Sequence, residues 1–191
     1  SIRRMLLAMV EDVRAVVIKM AERICALQQA KKADEETRVM VARECASIYA
    51  PLANRLGIGQ LKWELEDLAF RYLHPITYKQ IAKQLDGKRR ERADYIDGIV
   101  DDLQSLMNSE NIRADVYGRP KHIFSIWKKM QKKRLTFEQL FDIRAVRVIA
   151  ERLQDCYAAL GTVHASYKHL PNEFDDYIAT PKANGYQSIH T

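Results

Sequence analysis

Two stretches decide the fold of this chain: IRADVYGRPKHIFSIWKKM at residues 112–130 and FDIRAVRVI at residues 141–149. The first opens with alternating polar and apolar residues over 112–117, which predicts a strand, and the Gly-Arg-Pro sequence after it predicts a turn. Helical periodicity then continues to about residue 133. The second stretch is rich in β-branched residues and is the best strand candidate in the chain. The predicted order is therefore strand, helix, strand.

The rest of the chain extends this pattern on both sides. Downstream, residues 151–167 predict a helix, followed by a loop and the beginning of a strand near Tyr186. Upstream, residues 1–110 read as one helix after another. We therefore predict an α+β chain, in which an all-α domain over residues 1–110 is joined to an α+β domain over residues 111–191.

Capping and breaking residues set the helix boundaries in the first domain. A helix is predicted over 12–29, and Asp34 is a candidate N-cap for a second helix that ends near Arg55 and is kinked by Pro51. A long charged helix over 77–108 is expected to break near Asp86-Gly87. Between the helix that ends near Arg55 and the one over 77–108, an amphipathic helix is predicted from four residues at helical spacing: Leu61, Leu65, Leu68 and Tyr72. His74-Pro75 is expected to end this helix.

Composition excludes a membrane-spanning protein. Hydrophobic residues make up 47% of the 191 residues, and no apolar run reaches the length of a membrane span. Three distant cysteines, Cys25, Cys45 and Cys156, predict free and mostly buried thiols in a reducing cytosol, so we expect a cytoplasmic protein. Because Ser1 opens directly into helical sequence with no initiator Met, the chain is expected to be cut from something longer at both ends.

Positive charge is concentrated in the second domain. Residues 1–110 carry 18 Lys and Arg against 17 Asp and Glu, a net of +1, whereas residues 111–191 carry 13 against 8, a net of +5. This asymmetry predicts anionic ligands for the second domain.

A basic stripe accompanies the helix predicted over 121–133. Arg119 precedes this helix, and one of its faces carries Lys121, Ser125, Lys128 and Lys132. Together with the positive end of the helix dipole, these side chains suit a polyphosphate. A solvated lysine-rich surface and a nucleic-acid-binding patch are the alternative interpretations.

Asp142 lies at the start of the second predicted strand, among β-branched residues. Such an acid is either a salt-bridged surface residue or a ligand of a hard cation such as Mg²⁺, which prefers carboxylate oxygen. A single carboxylate holds Mg²⁺ poorly, so a second acid is expected on a neighbouring strand.

The stretch NEFDDYIATPKANGYQSIHT, residues 172–191, combines acids, a base and an aromatic residue. Asn184-Gly185 predicts a turn that exposes Tyr186, whose ring can stack on a nucleobase. The amides of Asn184 and Gln187 suit base edges, and Lys182 and His190 suit phosphates. The acids Glu173, Asp175 and Asp176 either modulate a nearby cation site or form a solvated loop.

Five segments, taken together and in order, resemble the RelA/SpoT family: YAPLANRLGIGQLKWELEDLAFRYL, YGRPKHIFSIWKKM, FDIRAVRVI, DCYAALGTVH and EFDDYIATPKANGYQSIHT. That family makes or degrades the guanosine alarmone (p)ppGpp. The resemblance implies that residues 1–110 are the C-terminal part of an HD-type hydrolase domain. It implies that residues 111–191 begin a synthetase domain with a nucleotidyltransferase-like (polymerase-β-like) mixed-sheet fold. The synthetase would transfer the β,γ-pyrophosphate of ATP to the 3′-hydroxyl of GTP or GDP.

The resemblance also implies roles for single residues. The ATP-side motif corresponds to Arg119, Lys121, Ser125 and Lys129. Asp142 corresponds to the Mg²⁺ ligand, so the catalytic candidates are Asp142, Arg119 and Lys129. Tyr186 corresponds to the residue that stacks on guanine, and the acceptor nucleotide would be surrounded by Lys182, Asn184, Gln187 and His190.

Two departures indicate a synthesis-only member of the family. Hydrolase-active members carry Asp, His, Asn and Arg where this chain has Glu22, Cys25, Ala26 and Gln28, so the helical domain is expected to be an inactive, structural pseudo-hydrolase. The acidic loop at Glu173 and Asp175 also matches the synthesis-only type.

The resemblance also predicts functional regions that this sequence does not include. The family's second essential acid is expected beyond Thr191, so the chain alone is expected to be inactive. Longer members engage the ribosome and uncharged tRNA through C-terminal regions absent here. The alternatives are a basic RNA-binding module and a regulatory scaffold or guanine-nucleotide sensor. A template-dependent polymerase or tRNA nucleotidyltransferase ranks lowest, because the chain carries the family's motif set instead.

Overall fold

The computed structural model describes residues 12–140 and 144–191. Helices fill the first part of it: α1 (Val13–Gln29), a 3₁₀ turn (Ala30–Lys32), α2 (Glu35–Glu44), a π-helical turn (Cys45–Tyr49), α3 (Ala50–Arg55), α4 (Gly59–Leu73) and α5 (Pro75–Ser109). The prediction of successive helices is confirmed for these residues.

Side-chain caps begin the first two helices. Asp12 accepts a hydrogen bond from the backbone N–H of Arg14 at 2.9 Å, and Asp34 accepts one from the N–H of Thr37 at 2.8 Å. A short polar side chain at this position satisfies an N–H group that the first helical turn leaves without a partner. The predicted N-cap at Asp34 is confirmed.

Just before Pro51, where a kink is predicted, the helix changes to the π-helical turn. There the N–H of Ala50 bonds to the carbonyl of Cys45, five residues earlier. Proline has no N–H, so the carbonyl of Ser47 cannot receive the usual α-helical hydrogen bond from position 51. The regular bonding pattern is therefore interrupted just before the proline.

The boundary between α4 and α5 lies where His74-Pro75 predicts it, with His74 as the C-cap of α4. Helix α5 begins at Pro75 and continues through Gly87 without interruption, so the predicted break near Asp86-Gly87 is wrong. A glycine inside a helix costs about 1 kcal/mol relative to alanine. A cost of this size is too small by itself to end a helix of 35 residues.

The chain divides into two compact units, of which the first comprises the described residues up to Ile81 together with His122–Lys128. Its core is formed by side chains from α1, the π-helical turn and α4. The hydroxyl of Tyr72 on α4 donates to the carbonyl of Leu27 at 2.9 Å and ties α4 to the end of α1. The largest fully buried side chains of this core are Val16, Met20, Leu27, Tyr49 and Leu65.

The second unit comprises Ala82–Lys121 and Lys129–Thr191. The remaining elements are β1 (Ala114–Pro120), α6 (Ile123–Lys133), β2 (Arg144–Ala150), α7 (Leu153–Ser166), β3 (Asp175–Asp176) and β4 (Ile189–His190). Strands β1 and β2 pair antiparallel, with Ala114 opposite Ala150 and Pro120 opposite Arg144. Strands β3 and β4 form a separate short antiparallel pair.

One face of the β1–β2 pair packs on a small apolar core. Val116 and Val148 face the buried side chains of Met107, Ile112 and Ala159, which come from α5, the loop after it and α7. This core fixes the sheet against two helices and leaves its opposite face for other contacts.

The residues predicted as a turn after β1 are instead its last three, Gly118, Arg119 and Pro120. A Cβ atom at Gly118 would lie 3.2 Å from a methyl carbon of Ile96 on α5. The glycine therefore allows a close approach between strand and helix, and the turn prediction is wrong.

Helix α5 also covers the outer edge of β1. The side-chain oxygen of Gln104 accepts from the N–H of Val116 at 3.0 Å, and its nitrogen donates to the carbonyl of Ala114 at 3.0 Å. One amide group thus replaces the two hydrogen bonds that a neighbouring strand would supply.

The cysteines are free, as predicted, but the prediction that they are mostly buried is wrong. Cys45 is buried, Cys156 is half-buried and Cys25 is exposed on α1. Helical spacing alone did not distinguish the exposed face of α1 from its buried face at this position.

The predicted α+β class is confirmed, and so is the order strand, helix, strand, helix in the second half. The nucleotidyltransferase-like fold and the domain boundary near residue 110 stay predictions. Among the described residues, no helix is both long enough and apolar enough to cross a membrane.

Candidate functional site

The face of the β1–β2 pair opposite the apolar core carries two arginines. Tyr117 stands opposite Arg147 in the register, and Arg119 stands opposite Ala145. Cross-strand neighbours, and residues two positions along, share a face of an antiparallel pair. Burial lowers the pKa of Arg119, and the nearby charge of Arg147 lowers it further. Both guanidinium groups stay charged in proteins, so this face is strongly cationic.

The segment from Tyr177 to His190 folds back on itself as an irregular hairpin. The N–H of Tyr177 bonds to the carbonyl of Ser188 at 2.8 Å, and the N–H of Lys182 bonds to the carbonyl of Tyr186 at 3.1 Å. Gly185 closes the turn with a φ of 77°, a left-handed conformation that glycine adopts without strain. The turn predicted at Asn184-Gly185 is confirmed.

This hairpin gathers four ring and cationic side chains into one cluster, Tyr177, Lys182, Tyr186 and His190. The Lys182 ammonium nitrogen lies 4.1 Å from the centre of the Tyr177 ring and 5.3 Å from that of Tyr186. The Tyr186 hydroxyl lies 3.0 Å from Nε2 of His190. Tyr186 is half-buried, so its ring is partly accessible.

His190 connects the hairpin with the arginine face electrostatically. Its pKa is lowered by partial burial first and then by the charge of Lys182, while the Asp175 carboxylate acts in the opposite direction. Arg119 and Arg147 have smaller lowering effects. The hairpin also influences Arg119 of the arginine face, because the Tyr186 phenol raises the pKa of Arg119. Three basic side chains, the Asp175 carboxylate and two tyrosine rings therefore lie around one histidine.

The two amide residues predicted for the acceptor nucleotide differ in surroundings. Oδ1 of Asn184 accepts from the N–H of Tyr186 at 3.2 Å, a local bond that stabilises the turn. Gln187 is exposed. Asn184 thus has a structural contact in addition to the role predicted for it.

Asp176 has a structural part in the hairpin. Oδ1 accepts from the N–H groups of Ile178 and Ala179, both at 2.9 Å, and Oδ2 accepts from the Tyr157 hydroxyl at 2.9 Å. The bond from Ala179, the largest effect, keeps the pKa of Asp176 below its usual value despite some loss of hydration. These bonds hold the carboxylate in the turn that follows β3.

The other two acids of this loop have different partners. Glu173 forms an exposed ion pair with Lys133 at 3.3 Å. Asp175 stands opposite His190 in the β3–β4 pair and bonds to the Tyr177 hydroxyl, which raises the pKa of Tyr177. Asp175 is therefore the acid of this loop that belongs to the ring and cation cluster.

The predicted ATP-side residues occupy the end of β1 and the helix after it. Arg119 is in β1, Lys121 follows that strand, and Ser125 and Lys129 lie four residues apart in α6. Of these residues, Arg119 adjoins the cluster predicted for the acceptor nucleotide.

At the N-terminus of α6, which the sequence predicts to suit a polyphosphate, two backbone N–H groups already have a partner. The N–H groups of Ile123 and Phe124 donate to the carboxylate of Asp67 on α4, at 3.2 Å and 2.8 Å. A carboxylate of the protein itself thus occupies two of the amides at this helix end.

The predicted metal ligand, Asp142, lies outside the described residues. Within residues 12–140 and 144–191, no three His, Cys, Asp or Glu side chains come together as a metal site. The carboxylate of Asp142 has the oxygen donors that Mg²⁺ prefers, so Mg²⁺ remains a prediction that rests on this residue.

The four positions predicted to be degenerate lie in α1. Glu22, Cys25 and Gln28 are exposed, and Ala26 is half-buried. Glu22 pairs with Lys19 and with Arg23, which lowers the pKa of the Glu22 carboxyl. This surface of α1 faces away from the core that its residues Val16, Met20, Ile24 and Leu27 form.

Sequence reasoning missed three residues that the structure places at or near these groups: Tyr177, Arg147 and Asp67. Tyr177 lies in the quoted loop, and its aromatic side chain close to Lys182 was the available signal. Arg147 was recognised as a strand residue, but only the β1–β2 register places it beside Arg119. Asp67 is more than 50 residues from its partners in α6, so no local pattern indicates the contact.

Comparisons with known proteins match two parts of the chain to two family models. Residues 118–191 match the family model described as a region found in RelA / SpoT proteins, and residues 1–59 match a model of the HD domain. Across its whole length the chain is 69% identical to a protein named GTP pyrophosphokinase from Photobacterium angustum and 66% identical to one of that name from Escherichia coli. A protein of the same name from Streptomyces antibioticus is 42% identical. The chain spans 26% of the length of the first two relatives and 23% of the third.

Proposed function

We propose that this chain, which belongs to the RelA/SpoT family, forms part of a (p)ppGpp synthetase. The reaction transfers the β,γ-pyrophosphate of ATP to the 3′-hydroxyl of GTP or GDP. The 3′ oxygen attacks the β-phosphorus of ATP. The bond between that phosphorus and the α,β-bridging oxygen breaks, and AMP leaves. The hydroxyl proton passes to a base.

The observation that carries this proposal is the cluster of Lys182, Tyr186 and His190 beside Arg119 and Arg147. Two polyphosphates must approach each other in the proposed reaction, and fixed cations reduce their repulsion. A partly accessible tyrosine ring next to those cations suits a nucleobase attached to the phosphates.

The cluster suggests how the acceptor nucleotide is oriented. Guanine stacks on Tyr186, while Lys182 and the two arginines lie on the side to which the phosphates extend. Lys182 packs more closely on Tyr177 than on Tyr186, so it neutralises phosphate without covering the ring that the base uses.

On the donor side, side chains replace the helix N-terminus. The side chains that bind the triphosphate of ATP are those of Arg119, Lys121, Ser125 and Lys129, and two of the first amides of α6 bond to Asp67 instead. Mg²⁺, held by Asp142 and a further acid, would neutralise phosphate charge in the transition state.

For the helical part we propose a structural role without hydrolase activity. The positions Glu22, Cys25 and Gln28 are exposed on α1, and the Glu22 carboxylate pairs with lysine and arginine. Hydrolysis of (p)ppGpp by the unaltered protein would contradict this role. The ribosome and uncharged tRNA stay predicted partners of the longer protein, and a cytoplasmic location stays a prediction.

Nucleotide binding tests the assignment of the cluster. The complete protein is titrated with GDP, with ADP and with a short single-stranded RNA, as the unaltered form and as Tyr186→Ala. We expect GDP to bind more tightly than ADP, and the variant to lose about 1–3 kcal/mol of GDP affinity. Tyr95→Ala is the control, because Tyr95 is an exposed tyrosine of the second unit that lies outside the cluster.

Two outcomes would contradict the proposal. GDP affinity that Tyr186→Ala leaves unchanged would remove the cluster as the guanine site. Salt-dependent RNA binding that exceeds GDP binding and survives loss of both Tyr186 and Lys121 would favour a basic RNA-binding module instead.

A further inference from the structure

The first turn of α6 is capped by a residue from another helix. Asp67 of α4 accepts hydrogen bonds from the N–H groups of Ile123 at 3.2 Å and Phe124 at 2.8 Å. The residues just before α6, Lys121 and His122, have none of the short polar side chains that usually cap a helix. The carboxylate of Asp67 thus takes the place of a local cap.

Aromatic contacts join the same two helices. Phe70 of α4 lies 4.9 Å from Trp127 and 5.5 Å from Phe124, measured between ring centres. Trp63, one turn before Asp67, stacks on His122 at 5.5 Å. These contacts flank Asp67 on both sides along α4.

The packing around this junction is incomplete. A cavity of about 540 Å³ opens among α3, α4 and α6, lined in part by Asn54, Glu66, Trp127 and Lys128. The paired hydrogen bonds of Asp67 are directional, and together with the aromatic contacts they fix the start of the helix.

Burial of Asp67 has a cost that these bonds offset. Partial burial raises the pKa of the carboxyl, while the bonds from Phe124 and Ile123 and the nearby His122 act in the opposite direction. Without these bonds, the half-buried carboxylate oxygens of Asp67 and the N–H groups of Ile123 and Phe124 would have fewer hydrogen-bond partners.

We propose that Asp67 is a positioning residue for Ser125, the ATP-side residue near the start of α6. By fixing the first turn of the helix, it sets the position of this serine. This inference rests on the proposed function. It adds that a residue of the helical part, with no contact to nucleotide, determines affinity for the pyrophosphate donor.

The test uses the complete protein with Asp67→Asn and Asp67→Ala. The matched control is Glu66→Gln, which neutralises the adjacent acid of α4, a residue that lines the cavity. Hydrogen exchange of the Ile123 and Phe124 amides reports the cap directly and needs no activity. We expect exchange on the order of tenfold faster in Asp67→Ala, an intermediate effect in Asp67→Asn, which keeps one oxygen acceptor, and no change in Glu66→Gln.

Kinetics then test the positioning role. We expect the KM for ATP to rise on the order of tenfold in Asp67→Ala, with the KM for GTP unchanged within about twofold. Unchanged exchange at Ile123 and Phe124 would overturn the cap. Faster exchange with an unchanged KM for ATP, or an equal rise in both KM values, would overturn the positioning role.

Failure of the proposed function is distinguishable from failure of this inference. If the unaltered protein transfers no pyrophosphate, affinity for a non-hydrolysable ATP analogue replaces KM, and the exchange measurement is unaffected. If Asp67→Ala does not fold, the milder Asp67→Asn carries both measurements.

Discussion

The ammonium group of Lys182 lies 4.1 Å from the centre of the Tyr177 ring, closer than to any other ring with which a contact is described. A cation over an aromatic face at this distance gains about 0.5–1 kcal/mol at an exposed site. The contact holds a flexible lysine beside Tyr186, in the cluster proposed to bind the acceptor nucleotide. Tyr177 is therefore a support for Lys182.

The Tyr177 ring is predicted to contribute to GDP affinity through Lys182. Tyr177→Leu removes the aromatic face, and we expect GDP binding to weaken by about 0.5–1 kcal/mol, as measured by titration calorimetry. Tyr177→Phe keeps the ring and loses only the hydroxyl that bonds to Asp175, so it serves as the control. Equal weakening by both substitutions would assign the effect to the hydroxyl.

His190 is predicted to be neutral at pH 7. Partial burial and the Lys182 charge lower its pKa below the ordinary value of 6.5. The His190 pKa should rise in Lys182→Met, because one repelling charge is lost, whereas Lys168→Met should leave it unchanged. Side-chain ¹⁵N NMR of the imidazole over a pH series measures both shifts.

Because the pKa of His190 is lowered in the folded state, the stability of the fold should depend on pH. A histidine with a depressed pKa in the folded state contributes fully to stability above its unfolded pKa, near 6.5. The contribution is lost as the pH falls below that value and through the lower folded pKa. A His190 pKa above 6.5 in the folded protein would contradict the arrangement of cations described here.

Thiol reactivity is predicted to differ sharply between two cysteines. Burial raises the pKa of Cys45 to about 11, whereas Cys25 is exposed on α1. A maleimide reagent at pH 7 should therefore modify Cys25 quickly and Cys45 only after denaturation. Mass spectrometry of peptides from a time course measures this, with Cys25→Ser as the control that removes the fast phase. Rapid modification of Cys45 in the folded protein would contradict its burial.

The amide of Gln104 is predicted to stabilise the edge of β1. Gln104→Ala leaves the N–H of Val116 and the carbonyl of Ala114 without this partner, which we expect to cost about 1–3 kcal/mol of local stability. Hydrogen exchange of the Val116 amide measures the change. Gln84→Ala is the control, because the bond from Gln84 to Glu138 at 3.2 Å is exposed, and its loss should matter by less than about 0.5 kcal/mol. Equal effects of the two substitutions would argue against a special role for the edge contact.

Local patterns predicted the elements of this fold better than their limits and pairings. The Asp34 cap and the His74-Pro75 boundary were predictable because capping and ring geometry act within a few residues. The continuity of α5 through Gly87 was not, since a single glycine shifts the balance by only about 1 kcal/mol. Gly118 was assigned to a turn because its purpose, the close approach of Ile96, depends on a helix far away in sequence.

The same distinction applies to the candidate site. Lys182, Tyr186 and His190 lie within nine residues, and a turn signal between them indicated that they come together. Arg147 joins Arg119 only through the pairing register of β1 and β2, and Asp67 reaches α6 across more than 50 residues. Long-range contacts of this kind depend on tertiary packing, which periodicity does not encode.

Pyrophosphate transfer tests the central claim most directly. The complete protein is supplied with γ-labelled ATP, GTP and Mg²⁺, beside an Asp142→Asn variant, and guanosine products are separated by charge. Label in a guanosine pentaphosphate that disappears in the variant is the predicted result, and it would assign Asp142 to the reaction. No label in any guanosine product, with GTP binding intact, would contradict the synthetase assignment and point to a regulatory guanine-nucleotide sensor.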